Sequence, residues 1–403
     1  MATWTLRICQ VSDGASTYPP IGAETRSWET HRISDGLSRL GNDVEVLLLP
    51  PALGMYRYKT HSLGWEAGNN KYFNKSILAL YTLSKMRRYL ERGGFDIVHF
   101  HSNVAAAAGI VGIKGRTPTV VTWGDPFLGG SRAPNRLKDT LRLEHPTGVL
   151  QRKVSLSVSS YTLHNSSAVI AVSETLRSRI VSLFGISRYK IQVIPPEVDT
   201  DRFKPGLDGN ALRASWGIPR DSKVVMCPAR ITPLKSQIDL VRALPKVKAQ
   251  FGSMKLFLVG NINSSDYLKK IMRVARQVGV VDSVRVTGTV SMNVFPLYYN
   301  MSNLVVLPSA AEGLPSSLLE AMSSARAILA SDIPPNREVA RDREVARYFE
   351  PHNIDELAEG VVTLLGDEHL SSSLGAIGRD VAIKYYNWKR IAELTANLYE
   401  RLI

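Results

Sequence analysis

Cysteine, long apolar runs and low-complexity segments are scarce in this 403-residue chain, and each absence excludes a class of protein. Only two cysteines occur, Cys9 and Cys227, which is too few for a disulfide framework or a cysteine-rich zinc cluster. The longest nearly apolar run, 104–113, is far shorter than the roughly 20 residues of a membrane-spanning helix. The first residues lack the basic and apolar regions of a secretory signal. We therefore expect a cytoplasmic globular protein.

Acidic side chains are also in the minority, since 36 Asp and Glu oppose 50 Lys and Arg and leave a net charge of +14. This excess indicates an anionic partner, whether nucleic acid, a phosphorylated substrate or an anionic lipid. Apolar residues make up 44% of the chain, which is enough to bury a core and excludes disorder as the dominant state. At roughly 100–200 residues per domain, the length predicts two domains.

Short β-branched runs alternate with helical patterns along the whole chain. Because these runs are apolar throughout, they indicate parallel strands buried on both faces, as in a doubly wound α/β fold. The predicted strands are 6–11, 44–49, 97–101, 119–122, 168–172 and 191–194, followed by a second set at 224–227, 255–259, 284–287, 304–307 and 327–330.

A segment with three prolines and a glycine, 195–206, separates the two sets of strands and predicts a linker. We therefore predict an α/β protein with two doubly wound, Rossmann-like domains, at 1–205 and 206–380. Ligands bind at the carboxyl edges of such sheets, so two domains with facing edges would share an interdomain cleft.

The most informative motif follows the predicted strand 304–307. It reads Glu312-Gly313-Leu314-Pro315-Ser316 and leads into an apolar helix that contains Glu320. The free amide groups and positive dipole at a helix start suit a phosphate or an anionic sugar portion. The two glutamates, eight positions apart, can accept hydrogen bonds from sugar hydroxyls. Ser317 and Glu320 also have the spacing of a capping box, in which Glu320 would only close the helix start.

Two basic residues, Arg230 and Lys235, follow the predicted strand 224–227. At the end of a buried strand, an Arg fork and a Lys point charge could clamp a diphosphate. Taken alone, the pair fits solvated loop residues equally well.

These motifs resemble glycosyltransferase family 4, the retaining nucleotide-sugar transferases of the GT-B fold. Glu312 and Glu320 match the family's Glu-x7-Glu motif, and Arg230 and Lys235 match its basic residues after the first strand of the nucleotide domain. The resemblance covers essentially the whole chain in consistent order, including a glycine loop at 20–24. It implies a C-terminal helix, 381–403, that crosses back to the first domain.

The resemblance also implies residue roles. Glu312, Arg230 and Lys235 are expected to be catalytic. Donor-binding residues are expected at Gly22, Arg230, Lys235, Val286, Glu312, Gly313, Leu314, Pro315, Ser316 and Glu320.

The implied reaction moves a sugar from a nucleotide-diphosphate donor, by default a UDP-sugar, to an acceptor hydroxyl on a glycan or lipid. The nucleotide-sugar is a substrate of the second domain, and the first domain takes the acceptor. Arg230, Lys235 and the amides at 313–316 would hold the leaving diphosphate in place of a metal, so neither cofactor nor metal is expected. The departing phosphate would take the acceptor's proton, and Glu320 would bind the ribose.

The sequence departs from the family pattern at several points. Ala325 and Ala327 stand where the family usually has Gly and Pro, and Ile262 replaces the second glycine of a Gly-x-Gly. The segment 122–125 lacks the histidine that many members carry there. His101 or Asp125 is expected to line the same space on the acceptor side.

Two short motifs suggest metal binding, but each has a simpler interpretation. Asp199 and Asp201 form an Asp-x-Asp, yet they lie in the proline-rich linker, where a turn or capping role is favoured. His99 and His101 share one face of a strand, but no third ligand is apparent nearby.

The positive charge is concentrated in the first domain, where residues 1–205 carry a net +10 against +4 for 206–403. Segment 57–92 contributes eight basic residues, namely Arg57, Lys59, Lys71, Lys75, Lys85, Arg87, Arg88 and Arg92. Within it, residues 76–92 have the pattern of a basic amphipathic helix, which could lie on the cytosolic face of an anionic membrane or simply cover the core.

Three functions remain open from the sequence. The first is the glycosyltransferase, and the second is a nucleotide-sugar epimerase or disaccharide phosphorylase on the same fold. The third is a basic nucleic-acid-binding protein. It is disfavoured because the chain has no recognisable nucleic-acid motif and its aromatic residues do not interleave with basic ones, so no nucleic-acid partner is expected.

Overall fold

A computed structural model of the chain describes residues 5–12, 25–48, 56–63, 75–101, 103–113, 115–124 and 146–403. The chain divides into two compact units. Unit 1 comprises Met1–Pro196 together with Trp388–Ile403, and unit 2 comprises Glu197–Asn387. Within the described residues, each unit is built on one parallel sheet, which establishes two Rossmann-like α/β domains. In this part of the chain, no helix combines the length and the apolar character needed to cross a bilayer.

The elements of unit 1 alternate between strand and helix. They are β1 (Arg7–Ser12), α1 (Thr25–Arg39), β2 (Asp43–Leu48), β3 (Lys59–Ser62), α2 (Lys75–Arg92), β4 (Ile97–Phe100), α3 (Asn103–Ile113), β5 (Thr119–Trp123), α4 (Pro146–Asn165), β6 (Ala168–Ala171), α5 (Glu174–Phe184) and β7 (Ile191–Val193). The strands lie in the order β3-β2-β1-β4-β5-β6-β7.

Unit 2 continues the alternation. It contains α6 (Gly209–Ser215), β8 (Lys223–Pro228), α7 (Gln237–Phe251), β9 (Met254–Val259), α8 (Ser265–Gln277), β10 (Val284–Gly288), α9 (Phe295–Met301), β11 (Leu304–Leu307), α10 (Ser316–Ser323), β12 (Ala327–Ser331), α11 (Pro334–Glu338), β13 (Arg347–Phe349), α12 (Ile354–Gly366) and α13 (Glu368–Tyr385). Its strand order is β10-β9-β8-β11-β12-β13. The last helix, α14 (Trp388–Glu400), belongs to unit 1.

Both faces of the unit 1 sheet are buried, as the apolar strands predict. On β1, Ile8 belongs to a core cluster that includes residues of α1 and α14, whereas its neighbour Cys9 belongs to a second cluster with α2 and α3. Successive side chains of a strand point to opposite faces, so the two clusters lie on the two sides of the sheet. Helix α14 lies close to α1, where a Cβ on Gly36 would be only 3.0 Å from Cβ of Ala392.

Residues 197–206 of the predicted linker belong to unit 2, although the predicted boundary at 205 places most of them in the first domain. The amide of Val198 donates to the carbonyl of Tyr386 at 2.8 Å, and Phe203 is fully buried. The guanidinium of Arg379 donates to the carbonyl of Phe203 at 3.0 Å. The first boundary therefore falls after Pro196 instead of at 205, and the second falls after Asn387 instead of at 380.

Every strand expected from the sequence is present, with ends that shift by at most one residue. Two observed strands, β3 and β13, were not expected. Each occupies an edge of its sheet. β3 carries the polar sequence KTHS and is largely exposed, and β13 has only three residues. Neither therefore has the continuous apolar run of a central strand.

Candidate functional site

The sequence motifs of unit 2 meet at the carboxyl ends of two neighbouring strands. β8 pairs with β11, and residues 229–235 and 308–315 leave those strands at the same edge of the sheet. The amide of Ala310 donates to the carbonyl of Leu234 at 2.9 Å, which ties the two loops together. This edge is where open parallel sheets bind their ligands.

Lys235 and Glu312 form an ion pair between these loops. The Lys235 amine donates to Oε1 of Glu312, and the side chains are only 14% and 11% exposed. Lys235 ends a short helical turn, Pro233–Lys235, which is followed by Ser236 in a left-handed conformation with φ of 49°. The chemistry of the site therefore includes a cation and a carboxylate held in contact and largely shielded from water.

Helix α10 starts beside this pair. Gly313 and Pro315 are buried, Leu314 is half-buried, and the first helical residue is Ser316. The Ser316 hydroxyl oxygen is buried and has no hydrogen-bond partner among the described residues. A helix start with free amides and an unsatisfied hydroxyl is suited to accept an anionic group.

Glu320 is not part of a capping box. The residue before α10 is Pro315, which has no side-chain hydrogen bond to the helix, and Ser317 is the second helical residue. Instead, the Tyr299 hydroxyl donates to Oε2 of Glu320 at 2.7 Å, and both side chains are buried. The interpretation of Glu320 as a mere helix cap is therefore wrong.

Arg230 is exposed on the loop that follows β8. Its carbonyl accepts a hydrogen bond from Nε2 of Gln237 at 2.9 Å. The next residue, Ile231, donates its amide to the carbonyl of Asn261 at 2.8 Å, so the loop is paired to the one after β9. Gly260 permits this contact, since a Cβ there would lie 2.4 Å from the Ala229 carbonyl oxygen.

The remaining expected donor residues are not brought to this site by any described contact. Val286 lies on the edge strand β10 and packs against the hydrophobic core of unit 2. Gly22 lies outside the described residues, as does Asp125.

His101 follows β4 in unit 1 and belongs to a buried polar network that the sequence did not predict. Its Nε2 lies 2.6 Å from Oε1 of Gln10, whose amide nitrogen donates to the Tyr399 hydroxyl at 3.0 Å. Nδ1 of His99 is 2.6 Å from that hydroxyl, and its Nε2 is 2.7 Å from the Thr122 hydroxyl. The network joins β1, β4 and β5 to α14.

Burial keeps the two histidines of this network neutral. Desolvation lowers the pKa of His101 to about 3, and it lowers the pKa of His99 well below its ordinary value, with a further contribution from the nearby His101. Tyr399 is fully buried, and its desolvation raises the pKa of the phenol. Among the described residues, no cluster of His, Cys, Asp or Glu has the composition to hold a metal ion.

The Asp-x-Asp motif makes a turn, as its place in the proline-rich linker predicts. Oδ1 of Asp199 accepts hydrogen bonds from the amides of Asp201 and Arg202, at 3.2 Å and 3.0 Å. The Arg202 guanidinium lies 3.6 Å from the other oxygen of Asp199.

A cavity of about 700 Å³ lies on unit 1 between the last turns of α2 and the strands β1 to β3. Its lining includes the basic side chains of Arg7, Lys85, Arg88 and Arg92. Tyr89 stacks on His61 with the ring centroids 4.4 Å apart and donates to the carboxylate of Glu45. Lys71 and the side chain of Lys75 lie outside the described residues.

Family models match both halves of the chain. Residues 29–202 match the model described as Glycosyltransferase Family 4, and residues 208–381 match the one described as Glycosyl transferases group 1. The chain belongs to glycosyltransferase family 4. The loops that carry Arg230, Lys235 and Glu312, and the helix that carries Glu320, follow β8 and β11 at one edge of the unit 2 sheet.

Curated relatives of this family 4 chain include a GDP-mannose-dependent alpha-(1-6)-phosphatidylinositol monomannoside mannosyltransferase of Mycobacterium tuberculosis. It is 28% identical over 261 residues, which cover 63% of this chain and 66% of that protein, just under two thirds of its length. A D-inositol 3-phosphate glycosyltransferase 2 of Catenulispora acidiphila is 26% identical over 391 residues, covering 92% of this chain and 88% of that protein.

Solved structures show the same GT-B fold. Sucrose-phosphate synthase from Thermosynechococcus elongatus matches with a TM-score of 0.80 and 19% identity, covering 98% of this chain and 99% of that one. Anabaena HepE in complex with UDP and glucose matches with a TM-score of 0.78 and 17% identity, covering 98% and 99%.

Proposed function

We propose that the protein is a retaining hexosyltransferase that moves a sugar from a nucleoside diphosphate, bound by unit 2, to a hydroxyl of an acceptor bound by unit 1. The observation that carries this proposal is the shielded Lys235–Glu312 ion pair beside the start of α10. A cation, a carboxylate and a helix start at one sheet edge are what a sugar diphosphate needs for recognition. An epimerase or phosphorylase would use the same donor geometry and is separated by experiment below.

The proposed mechanism relies on charge stabilisation. As the bond to the anomeric carbon breaks, negative charge grows on the diphosphate, where Lys235, Arg230 and the amides of α10 stabilise it. Glu312 accepts hydrogen bonds from sugar hydroxyls, and Glu320 accepts them from the ribose. The departing phosphate takes the proton of the attacking hydroxyl. Because side-chain cations supply the counter-charge, we propose that the reaction needs no metal.

We propose GDP-mannose as the donor in place of the UDP-sugar expected by default. The support is the activity of the mycobacterial relative, which is GDP-mannose-dependent. The neighbour with bound UDP is 17% identical, so it informs the fold and not the base.

We propose an anionic, inositol-bearing acceptor. Both relatives named above act on such compounds, a phosphatidylinositol mannoside and D-inositol 3-phosphate. The net charge of +10 on residues 1–205 is the complement of an anionic acceptor.

We propose that unit 1 docks on an anionic membrane surface through the end of α2. Of the basic residues in 57–92, Arg57 pairs with Asp35, Lys59 with Asp43 and Arg87 with Glu91. Arg88 and Arg92 are exposed, lie four residues apart on one helix face and line the cavity described above. Phosphate-bearing headgroups attract such a basic face.

The transfer is tested by replacing Lys235. Lys235→Ala should lower turnover at saturating donor by about 10²–10³, the range for losing a preorganised charge-stabilising donor. Lys270→Ala removes an exposed lysine of unit 2 and serves as the matched control. Near wild-type turnover in Lys235→Ala would exclude this role.

The same assay separates the alternatives. Activity that persists in EDTA supports the metal-free mechanism, whereas a strict need for Mg²⁺ or Mn²⁺ contradicts it. Turnover that requires inorganic phosphate identifies a phosphorylase, and conversion of the donor without an acceptor identifies an epimerase.

Donor choice is tested by thermal shift with GDP, UDP and ADP and their hexose conjugates. A ligand at 100 times its Kd stabilises a protein by about 2.7 kcal/mol, which is readily measured. A larger shift with UDP than with GDP contradicts the proposed donor.

Membrane docking is tested by co-sedimentation with vesicles that contain or lack anionic lipid. Arg88→Gln/Arg92→Gln should lose binding to anionic vesicles, while Arg273→Gln/Arg276→Gln, two exposed arginines of unit 2, should retain it. Equal binding to neutral and anionic vesicles by the wild-type protein would exclude the docking proposal.

A further inference from the structure

The Tyr299 hydroxyl makes a short, buried contact with Glu320 in unit 2. It lies 2.7 Å from Oε2 of Glu320, and it also faces the carbonyl of Ser317 at 3.4 Å. Tyr299 is 0% exposed and Glu320 is 8% exposed. A hydrogen bond to a carboxylate in such surroundings is stronger than one in water, so it limits the orientations that the carboxylate can take.

The phenol acts as a donor in this contact. Desolvation raises the pKa of Tyr299 well above its ordinary value, and the nearby Glu320 raises it further. The hydroxyl therefore keeps its proton at neutral pH. Its proton is directed at one carboxylate oxygen, Oε2 of Glu320.

The Tyr299 ring is itself held on two sides by aromatic neighbours. Phe203 meets it edge to face with centroids 5.7 Å apart, and Phe295 does so at 5.3 Å. Phe203 is in turn fixed by the Ser323 hydroxyl and the Arg379 guanidinium, which both donate to its carbonyl. The hydroxyl is thus presented from a rigid support, as a group that orients another must be.

We propose that Tyr299 is a positioning residue of the donor site, which sets the orientation of the Glu320 carboxylate and so the recognition of the donor's ribose hydroxyls. This inference rests on the proposed function, in which Glu320 binds the ribose. Tyr299 itself touches no substrate. By orienting the Glu320 carboxylate, it makes the site selective for ribose over deoxyribose.

The first test compares the binding of GDP with that of its 2′-deoxy and 3′-deoxy forms. Wild-type protein should prefer GDP to at least one deoxy form. For that deoxy form, the ratio of its Kd to the Kd of GDP should fall at least threefold towards one in Tyr299→Phe. The KM for the nucleotide-sugar should rise about tenfold, with a smaller change in kcat. A general loosening of the fold would weaken all three ligands alike and leave the ratio unchanged.

Tyr298→Phe is the matched control. Tyr298 neighbours Tyr299 on α9 and is buried, but its ring packs against Phe257 with centroids 6.1 Å apart. It should keep the wild-type ratio. A second control compares Glu320→Gln with the double variant Glu320→Gln/Tyr299→Phe. Their Kd ratios should differ by less than twofold, because Tyr299 acts through Glu320 and that residue is already changed in both.

The outcomes separate this inference from the proposed function. If wild-type protein binds no nucleoside diphosphate, both are overturned. If wild-type protein discriminates against a deoxy form and Tyr299→Phe discriminates equally well, only the role of Tyr299 is overturned. Equal loss of discrimination in Tyr298→Phe would also overturn it.

Discussion

The amine of Lys235 forms a hydrogen-bonded ion pair with the carboxylate of Glu312 between the loops that follow β8 and β11. Each side chain is thus the other's partner, and the side chains of Lys235 and Glu312 are only 14% and 11% exposed. A sugar diphosphate presents a partner to both at once, phosphate oxygens to the lysine and hydroxyls to the glutamate. A nucleoside diphosphate without sugar offers a partner to the lysine alone and must compete with the carboxylate.

Glu312→Gln should therefore bind GDP more tightly and transfer sugar more slowly. Removing one negative charge close to Lys235 should improve GDP binding about fivefold, because like charges a few ångströms apart repel by about 1 kcal/mol or more in a partly shielded site. Turnover should fall because the sugar hydroxyls lose a charged hydrogen-bond acceptor and meet a neutral amide instead. Calorimetric titration and a steady-state assay measure the two effects, with Glu359→Gln, an exposed glutamate of α12, as control. Weaker GDP binding in Glu312→Gln would show that the carboxylate does not compete.

Gly260→Ala should impair donor binding. The φ of Gly260 is 153°, and an added Cβ would lie 2.4 Å from the Ala229 carbonyl oxygen. The loop that carries Arg230 must then move, so we expect a KM increase for the donor and a loss of about 2 kcal/mol or more in unfolding free energy.

Gly279→Ala provides the comparison, because Gly279 has a φ of 71° and no atom within 4 Å of an added Cβ. It should reduce stability through backbone strain and leave the KM unchanged. A Gly260→Ala enzyme with the wild-type KM would indicate that the loop position does not matter for the donor.

The sequence predicted the central strands well because each is a continuous apolar run buried on both faces. The same signal is absent from β3, whose exposed KTHS sequence pairs on one side only. The proximity of the motifs could also be predicted, because residues at the carboxyl ends of adjacent parallel strands lie at one edge of the sheet. This geometry brought Lys235 to Glu312, although they are 77 residues apart in sequence.

The partners of these motifs could not be read from the sequence. Tyr299 precedes β11 as one of two adjacent tyrosines on α9, and nothing in the pattern distinguishes it from Tyr298. Tyr399 joins the His99 network only because α14 returns to unit 1, which is a tertiary contact over 300 residues. The spacing of Ser317 and Glu320 predicted a capping box wrongly. The helix starts at Ser316, and this start depends on the surrounding residues and not on the spacing alone.

Ala325→Gly should stabilise the protein. Ala325 ends the turn after α10 with a φ of 53°, a left-handed conformation that a Cβ disfavours. Its amide donates to the carbonyl of Met322 at 2.9 Å, so the conformation is held by the turn. Glycine removes the strain at some entropic loss, and we expect a net gain of about 0.5–1 kcal/mol in unfolding free energy. Ala327→Gly, in the extended strand β12, should destabilise instead.

The histidine network should make unit 1 sensitive to acid. The pKa of His101 is lowered to about 3 and that of His99 is lowered well below its ordinary value, both mainly by desolvation. Below pH 6.5 the unfolded chain therefore binds protons that the folded chain does not, and the unfolding free energy falls as the pH falls. The decrease should reach about 1.4 kcal/mol per pH unit for each histidine and continue towards pH 3.

Urea unfolding between pH 7 and pH 4.5 measures this slope. His101→Gln should reduce it by about one proton and lower the stability at pH 7, because the new amide replaces an imidazole packed 4.3 Å from the His99 ring. His164→Gln, which removes an exposed histidine of α4, controls for the loss of an imidazole as such. A His101→Gln protein with the full wild-type slope would mean that His101 carries the same charge in the folded and unfolded chains.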